Sequence, residues 1–287
     1  MKQIENQRFD QERALYGEKD LLLRNCAFDG PEDGESALKE CSHIQAQSLF
    51  CNLRYPFWHD HGLIIRDSEL TPLCRAAIWY SDHVQISGTK LHGIKALREC
   101  SDITMSGCDI SSSEFGWSAR NVDMRQCSAE SEYFLLRGEE LHLAEVKFKG
   151  KYSFQYTRNV RIENCALDTK DAFWHARNVT VRDSVIRGEY LAWYSDHLTL
   201  INCRIVGTQP FCYCTNLKLV DCEMVDTDLC FEKSQVCATI KTPVMSIKNP
   251  RSGTISAPAV GEIIMDDPEA RGKILVGDRG SGHCDCA

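Results

Sequence analysis

The chain has no apolar run approaching the roughly eighteen residues that a membrane-spanning helix needs. Positive charge is not in excess either. Its 33 Lys and Arg stand against 41 Asp and Glu, a net charge of −8, which argues against a general nucleic-acid surface. No CxxC pair, Walker-type loop, GxGxxG fingerprint or HExxH string occurs, so zinc-ribbon, nucleotide and zincin chemistry lack their usual signatures. The opening MKQIENQRFDQER carries no apolar stretch behind Lys2 and is not expected to act as an export signal. Sixteen cysteines would suit a disulfide scaffold only in a short secreted chain, and this one has 287 residues. The expectation is a reduced, cytoplasmic protein with no membrane or nucleic-acid partner, no cofactor and no metal.

What the chain does have is a period. Stepping by nineteen from Val84 lands on Ile103, Val122, Leu141, Val160, Val179, Leu198, Leu217 and Val236, all aliphatic. Looser spacings extend the series back through Leu63 and Ile44 to Leu21. A fixed period of this length marks a solenoid, in which each repeat buries its apolar face against the next.

The rung from Val160 to Asn178, VRIENCALDTKDAFWHARN, shows how one repeat is built. Val160 and Ile162 alternate with Arg161 and Glu163, as in a half-buried strand. Asn164 follows, and the same place holds Asn25, Asp67, Gly88, Gly107, Asp183, Asn202 and Asp221, with Gln126 and Glu145 as exceptions. These types tolerate positive φ, so a tight corner is expected there. Next comes a column containing Cys26, Cys108, Cys127, Cys165, Cys203 and Cys222, which reads as an internal stack of small buried thiols rather than a metal site. AFWHA is read as a third strand, with an apolar column at Phe57, Ile78, Leu97, Phe154, Phe173 and Phe211. Asn121, Asn159, Asn178 and Asn216 close their rungs and can stack as a ladder.

Three short strands and three corners per repeat describe an all-β, right-handed parallel β-helix of about 12 rungs, on the order of 55 Å at roughly 4.8 Å per rung. A leucine-rich repeat is the rival, since VxIxNCxL loosely resembles its signature, but the short period leaves no room for a helical side. One domain is expected: a cap over 1–20, repeats over 21–241, an irregular cap over 242–270 and a disordered tail over 271–287.

The segments LRNCAFDG (23–30), AIWYSDH (77–83), DAFWHARN (171–178) and GEYLAWYSDHLTLINC (188–203) resemble a bacterial domain family of unknown function. The likeness runs from FDQERALYGEKDLLLRNCAFDG near the N-terminus to NPRSGTI at 249–255. It implies the single-stranded right-handed, pectin-lyase-like β-helix fold and no established activity, so no catalytic residue carries over.

Every tryptophan, Trp58, Trp79, Trp117, Trp174 and Trp193, falls at one repeat position. The next position holds His59, Tyr80, Glu99, Arg137, Tyr156, His175, Tyr194, Tyr213 and Glu232; strict alternation would turn it inward, but its charges argue against that, so a bulge or the corner is expected to re-aim it. A larger echo overlies this pattern. Phe57-Trp58-His59 precedes Trp79-Tyr80-Ser81-Asp82-His83 by one rung, and Phe173-Trp174-His175 precedes Trp193-Tyr194-Ser195-Asp196-His197 likewise.

The functional expectation is a saccharide surface in which flat ring faces stack on sugars while Asp60, Asp82, Asp196, His83, His197 and the tyrosines bond hydroxyls. An Asp–His pair could also serve acid–base chemistry, and His59-Asp60-His61 could chelate a metal because His59 and His61 share a face of an extended strand. The plainer alternative is duplication that copied packing residues. Polygalacturonase-like and pectate-lyase-like sites lack their clustered carboxylates here. The reading is a carbohydrate-related binding protein, with a structural or homo-oligomeric interaction module as the second class and a lyase or hydrolase third.

Overall fold

The computed structural model describes residues 1–32 and 34–277. They fall into two units, 1–149 and 150–277, taken one at a time below. Both are built from parallel β-strands at a spacing of about nineteen residues, giving right-handed parallel β-helix coils. The turns number about fourteen rather than the expected 12, because the coil starts before Leu21 and continues past Val236, where Gln235–Ile240 pairs with Ser252–Ala257 and that strand with Lys273–Val276. Lys2–Glu5 already pairs with Lys19–Arg24, and Arg8–Phe9 pairs with Ala27–Phe28. Among the described residues no helix is long and apolar enough to cross a membrane.

In residues 1–149, six-residue strands such as His61–Arg66, Asp82–Ser87, Ser101–Ser106 and Arg120–Arg125 pair in parallel, each with the next. Val84, Ile103, Val122 and Leu141 are direct register partners. A second sheet runs beside the first through Glu69–Leu70, Lys90–Leu91 and Asp109–Ser111. Residues 150–277 repeat the plan with Arg158–Glu163, Arg177–Arg182 and Asp196–Ile201, whose Val160, Val179 and Leu198 are partners. Later, Val244–Lys248 and Val260–Ile264 form a separate parallel pair.

The corner between the two sheets is left-handed wherever it was expected, with φ of 50° at Asn25, 53° at Asn164 and 49° at Asp183. Gln126 and Glu145, the exceptions by residue type, adopt it too, at 52° and 56°. A left-handed residue that is not Gly costs roughly 1–2 kcal/mol, and side-chain ladders offset part of that cost. Asn202 Nδ2 donates to Asp183 Oδ1 at 2.7 Å, and Gln126 Nε2 to Glu145 Oε2 at 3.1 Å.

The cysteine column has a polar task besides packing. Just past the corner the backbone N–H turns inward and needs an acceptor. A small side chain one rung on supplies it: Cys108 N–H donates to Cys127 Sγ (3.4 Å), and Cys165 N–H to Ser184 Oγ (3.0 Å). The thiols donate in turn to carbonyls, as Cys203 Sγ does to Val181 O at 3.4 Å. Among the described residues thirteen cysteines are buried free thiols, and Cys237 is disulfide-bonded. The tail cysteines Cys284 and Cys286 lie outside the described residues.

The third side corrects one expectation. AFWHA is a run of bends, and alternate residues are left-handed: Asp171, Phe173 and His175 have φ of 54°, 59° and 55°. Phe173 N–H bonds back to Ser153 O at 2.9 Å, while Asp171 and His175 bond forward to Glu189 O and Trp193 O at 3.0 Å each. This backbone ladder holds the side without a β-strand. It also breaks the strand alternation. Phe173 and Ala176 are buried, yet the two residues between them, Trp174 and His175, both face outward. Inside, the phenylalanines stack ring on ring, Phe154 to Phe173 at 4.9 Å with planes 9° apart.

Candidate functional site

The outward pair on the third side produces two parallel columns of rings. The inner one is the tryptophan column, half-buried throughout. In residues 150–277, Trp174 and Trp193 stack at 5.4 Å with planes 3° apart. Their indole N–H groups donate to Tyr190 O (2.7 Å) and Gln209 O (2.9 Å), and Gln155 Nε2 makes the matching bond to Asp171 O at 2.8 Å. In residues 1–149, Trp58 and Trp79 stack at 5.1 Å, and cations close the ends of the pile: Lys39 Nζ lies 5.2 Å from Trp58, and Arg98 lies 5.1 Å from both Trp79 and Trp117.

These contacts answer the expectation of flat faces awaiting sugars. The broad faces of Trp58 and Trp79 are covered by each other and by cations. The facing sides of Trp174 and Trp193 are covered likewise, and both N–H groups are engaged by backbone. The tryptophans therefore act first as a buttress against the bent third side.

The outer column is the exposed one. In residues 150–277, Tyr156, His175, Tyr194 and Tyr213 form an unbroken ladder, with successive centroids 4.9, 5.0 and 4.8 Å apart and planes within 12° of parallel. Tyr156 and Tyr194 are 49% and 48% exposed. Faces are again spent on one another, so solvent meets ring edges, phenol hydroxyls and imidazole nitrogen. Burial pushes the Tyr213 phenol up, assisted by Glu232. The shorter version in residues 1–149 is His59 against Tyr80 at 5.0 Å.

The Asp–His groups sit where the third side meets the first sheet. Asp82 Oδ2 is 2.6 Å from His61 Nδ1 and its Oδ1 2.7 Å from His83 Nδ1. Partial burial pushes the Asp82 carboxyl up, but these bonds from His83 and His61 hold it below the usual range, and the bond to Asp82 raises His83. Asp196 shares its Oδ1 among Thr215 Oγ1 (3.0 Å), Asn216 Nδ2 (2.9 Å) and His197 Nδ1 (2.9 Å). In both clusters the carboxylate is tied up by its neighbours.

Asp60 is a correction to the surface reading. Its side chain is fully buried, in a column with Cys41, Ser81 and Cys100 whose members accept inward backbone N–H groups. Its Oδ1 accepts from Cys41 N at 2.8 Å, while Oδ2 has no partner. Burial pushes this carboxyl up to about 8. With Asp60 inside, His59 tilted against Tyr80 and His61 bonded to Asp82, the His59-Asp60-His61 run is not a chelate. Among the described residues no group of three His, Cys, Asp or Glu is placed to hold a metal ion. Ser81 and Ser195 of the two WYSDH copies are buried as well.

A family model described as protein of unknown function (DUF3737) matches residues 2–275. No curated protein matches the chain. Among solved structures, the Dettilon tailspike protein is similar at 8% identity and a TM-score of 0.36, over 96% of this chain and 61% of that one. The catalytic unit of a thermostable GH87 α-1,3-glucanase from Streptomyces thermodiastaticus gives 7% and 0.33, over 97% and 60%. A tailspike protein mutant of E. coli bacteriophage HK620, solved with a hexasaccharide, gives 8% and 0.33, over 96% and 71%. The chain thus spans about three fifths of the length of the first two.

Proposed function

This chain belongs to the DUF3737 family, and we propose that it is a saccharide-binding protein whose ligand lies along the ring ladder of residues 150–277. The observation that carries this reading is the unbroken ring series Tyr156, His175, Tyr194 and Tyr213, exposed over its first three members and half-buried at Tyr213. Each rung advances by about 4.8 Å, comparable to the advance of one pyranose along an extended chain, so ring edges and sugar residues keep step. Contact is through hydrogen bonds from hydroxyls to the phenol oxygens and imidazole nitrogen, because the ring faces are already stacked. The half-buried tryptophans hold the ladder in place and contribute rigidity, which lowers the entropic cost of binding.

A glycan array probed with the full chain tests this. Binding is expected for at least one extended glycan, and a His175→Ala/Tyr194→Ala variant should lose it on the order of tenfold or more. No binding by the wild type, or equal binding by the folded double variant, sinks the reading.

A second reading, self-association, is favoured by a different surface. Met245, Ile263, Met265, Leu275 and Val276 are each 45–57% exposed in the last described strands, and apolar strands left open at a sheet end invite pairing. Light scattering across a concentration series tests it; a monomer at all concentrations removes it.

A further inference from the structure

We infer that the saccharide held by this ladder is anionic, with its carboxylate or sulfate groups received by Arg158 and Arg177. The inference rests on the saccharide reading above and adds the sign of the ligand's charge.

Two residues beyond Tyr156 stands Arg158, and two beyond His175 stands Arg177. Both are exposed and they are direct register partners on adjacent strands. Arg161 faces outward from the same strand as Arg158, opposite Thr180. Like charges set opposite one another in a parallel ladder repel and destabilise it. A chain with 41 acidic residues against 33 basic ones has ample means to neutralise them. Yet among the described residues none of these three arginines is engaged in an ion pair, although Lys170 and Arg204 nearby are paired with Glu189 and Glu223.

The nearest acid in register makes the point. Asp196 is the partner of Arg177 on the next strand, but its carboxylate is turned to Thr215, Asn216 and His197. The guanidinium groups are thus left to solvent, on exposed residues two positions along the chain from the rings Tyr156 and His175. A guanidinium offers a planar fork that takes a carboxylate or sulfate through two parallel N–H bonds.

The echo within the sequence separates this arrangement from simple copying. In residues 1–149 the ring His59 is followed by Asp60 and His61, and Asp82 is clasped by His61 and His83. In residues 150–277 the same place reads His175-Ala176-Arg177. The rings were kept and the charge beside them was changed. Among the described residues, the second copy joins a four-ring ladder to cations outside any ion pair, and the first does not have such a ladder.

Affinity electrophoresis of the full chain through matched polymers tests the inference: dextran sulfate and carboxymethylcellulose against dextran and hydroxyethylcellulose, at about physiological salt. Retardation by a charged polymer is expected, with its neutral counterpart at least about tenfold weaker. Arg158→Gln/Arg177→Gln should weaken charged-polymer binding on the order of tenfold, while Lys218→Gln/Lys241→Gln, an equal charge change on two exposed residues of the same unit, should not. The double variant should melt no lower than the wild type, since it relieves repulsion, so lost binding cannot be blamed on misfolding. Equal retardation by neutral polymers, or indifference to the arginines, overturns the inference and leaves the saccharide reading standing. Equal affinity for single-stranded poly(dT) also overturns it, because charge alone then suffices. If none of the four polysaccharides binds, the saccharide reading itself falls and this inference with it.

Discussion

Trp193 and Tyr194 are neighbours in sequence that both face outward and join different stacks. Trp193 lies on Trp174 with its N–H bound to Gln209 O, whereas Tyr194 lies between His175 and Tyr213 with its edge in solvent. Two adjacent residues can do this only because Tyr194 is left-handed, at φ 60°. Their substitution should separate support from recognition. Trp193→Ala is expected to cost about 2 kcal/mol in denaturant unfolding, from a lost stack and a lost backbone bond. Tyr194→Ala should cost under about 1 kcal/mol yet weaken glycan binding.

The core stack should be less forgiving. Phe173 is almost wholly buried against Phe154. Phe173→Ala is expected to lose about 3–5 kcal/mol, read as a fall in the urea midpoint; a loss below about 1 kcal/mol would show that the third side collapses to fill the gap.

Asp60 predicts a pH dependence. Burial pushes its carboxyl up to about 8, against the bond from Cys41 N–H that lowers it. Between about pH 4 and pH 8 the folded chain keeps a proton that the unfolded chain has lost. This contribution to stability is therefore full below the unfolded pKa and falls as pH rises, at about 1.4 kcal/mol per unit. Asp60→Asn keeps the acceptor for Cys41 and removes the titration. Its melting temperature at pH 8 should exceed that of the wild type; parallel pH profiles for the two proteins would refute the assignment.

His83 makes a prediction of the same sign. The hydrogen bond to Asp82 raises the His83 imidazole, so the imidazole's contribution is lost as pH rises through the raised value, while the lowered Asp82 carboxyl sets an acid limit below which the pair is lost as well. His83 is fully exposed, so the readout is its own titration by NMR. Asp82→Asn should shift His83 downward, and an unmoved titration would mean that the bond is not held in solution.

Much of the fold is legible in the residues. The aliphatic series Val84, Ile103, Val122 and Leu141 became register partners because two inward positions per strand leave the sheet no other way to bury them. The corner at Asn164 and Asp183 was visible because those types tolerate positive φ. The third side was not. Phe173, His175 and Tyr194 are bulky residues that announce no left-handed backbone, and their φ values follow from neighbouring rungs binding their N–H groups. The charges at Glu99, Arg137 and Glu232 spoke against an inward histidine and tyrosine column, but the left-handed backbone that re-aims it was not visible. Asp60 was misleading for a similar reason: between two histidines it looks exposed, yet its place in the repeat is one that Ser81 and Cys100 fill inside the core. The aromatic columns were legible as columns. Their mutual stacking was not, because sequence spacing does not say which way a ring is turned.

The backbone ladder of the bent side also acts as a ruler. Its hydrogen bonds tie each left-handed residue to the rung before or after, so each graduation is one rung, and from Tyr156 to Tyr213 each graduation carries one ring of the outer ladder. Duplicating or deleting a whole rung would lengthen or shorten the strip by a single mark and leave the chemistry at every other mark untouched. The length of that strip is thus an inheritable integer, adjustable independently of the side chain that stands at each mark.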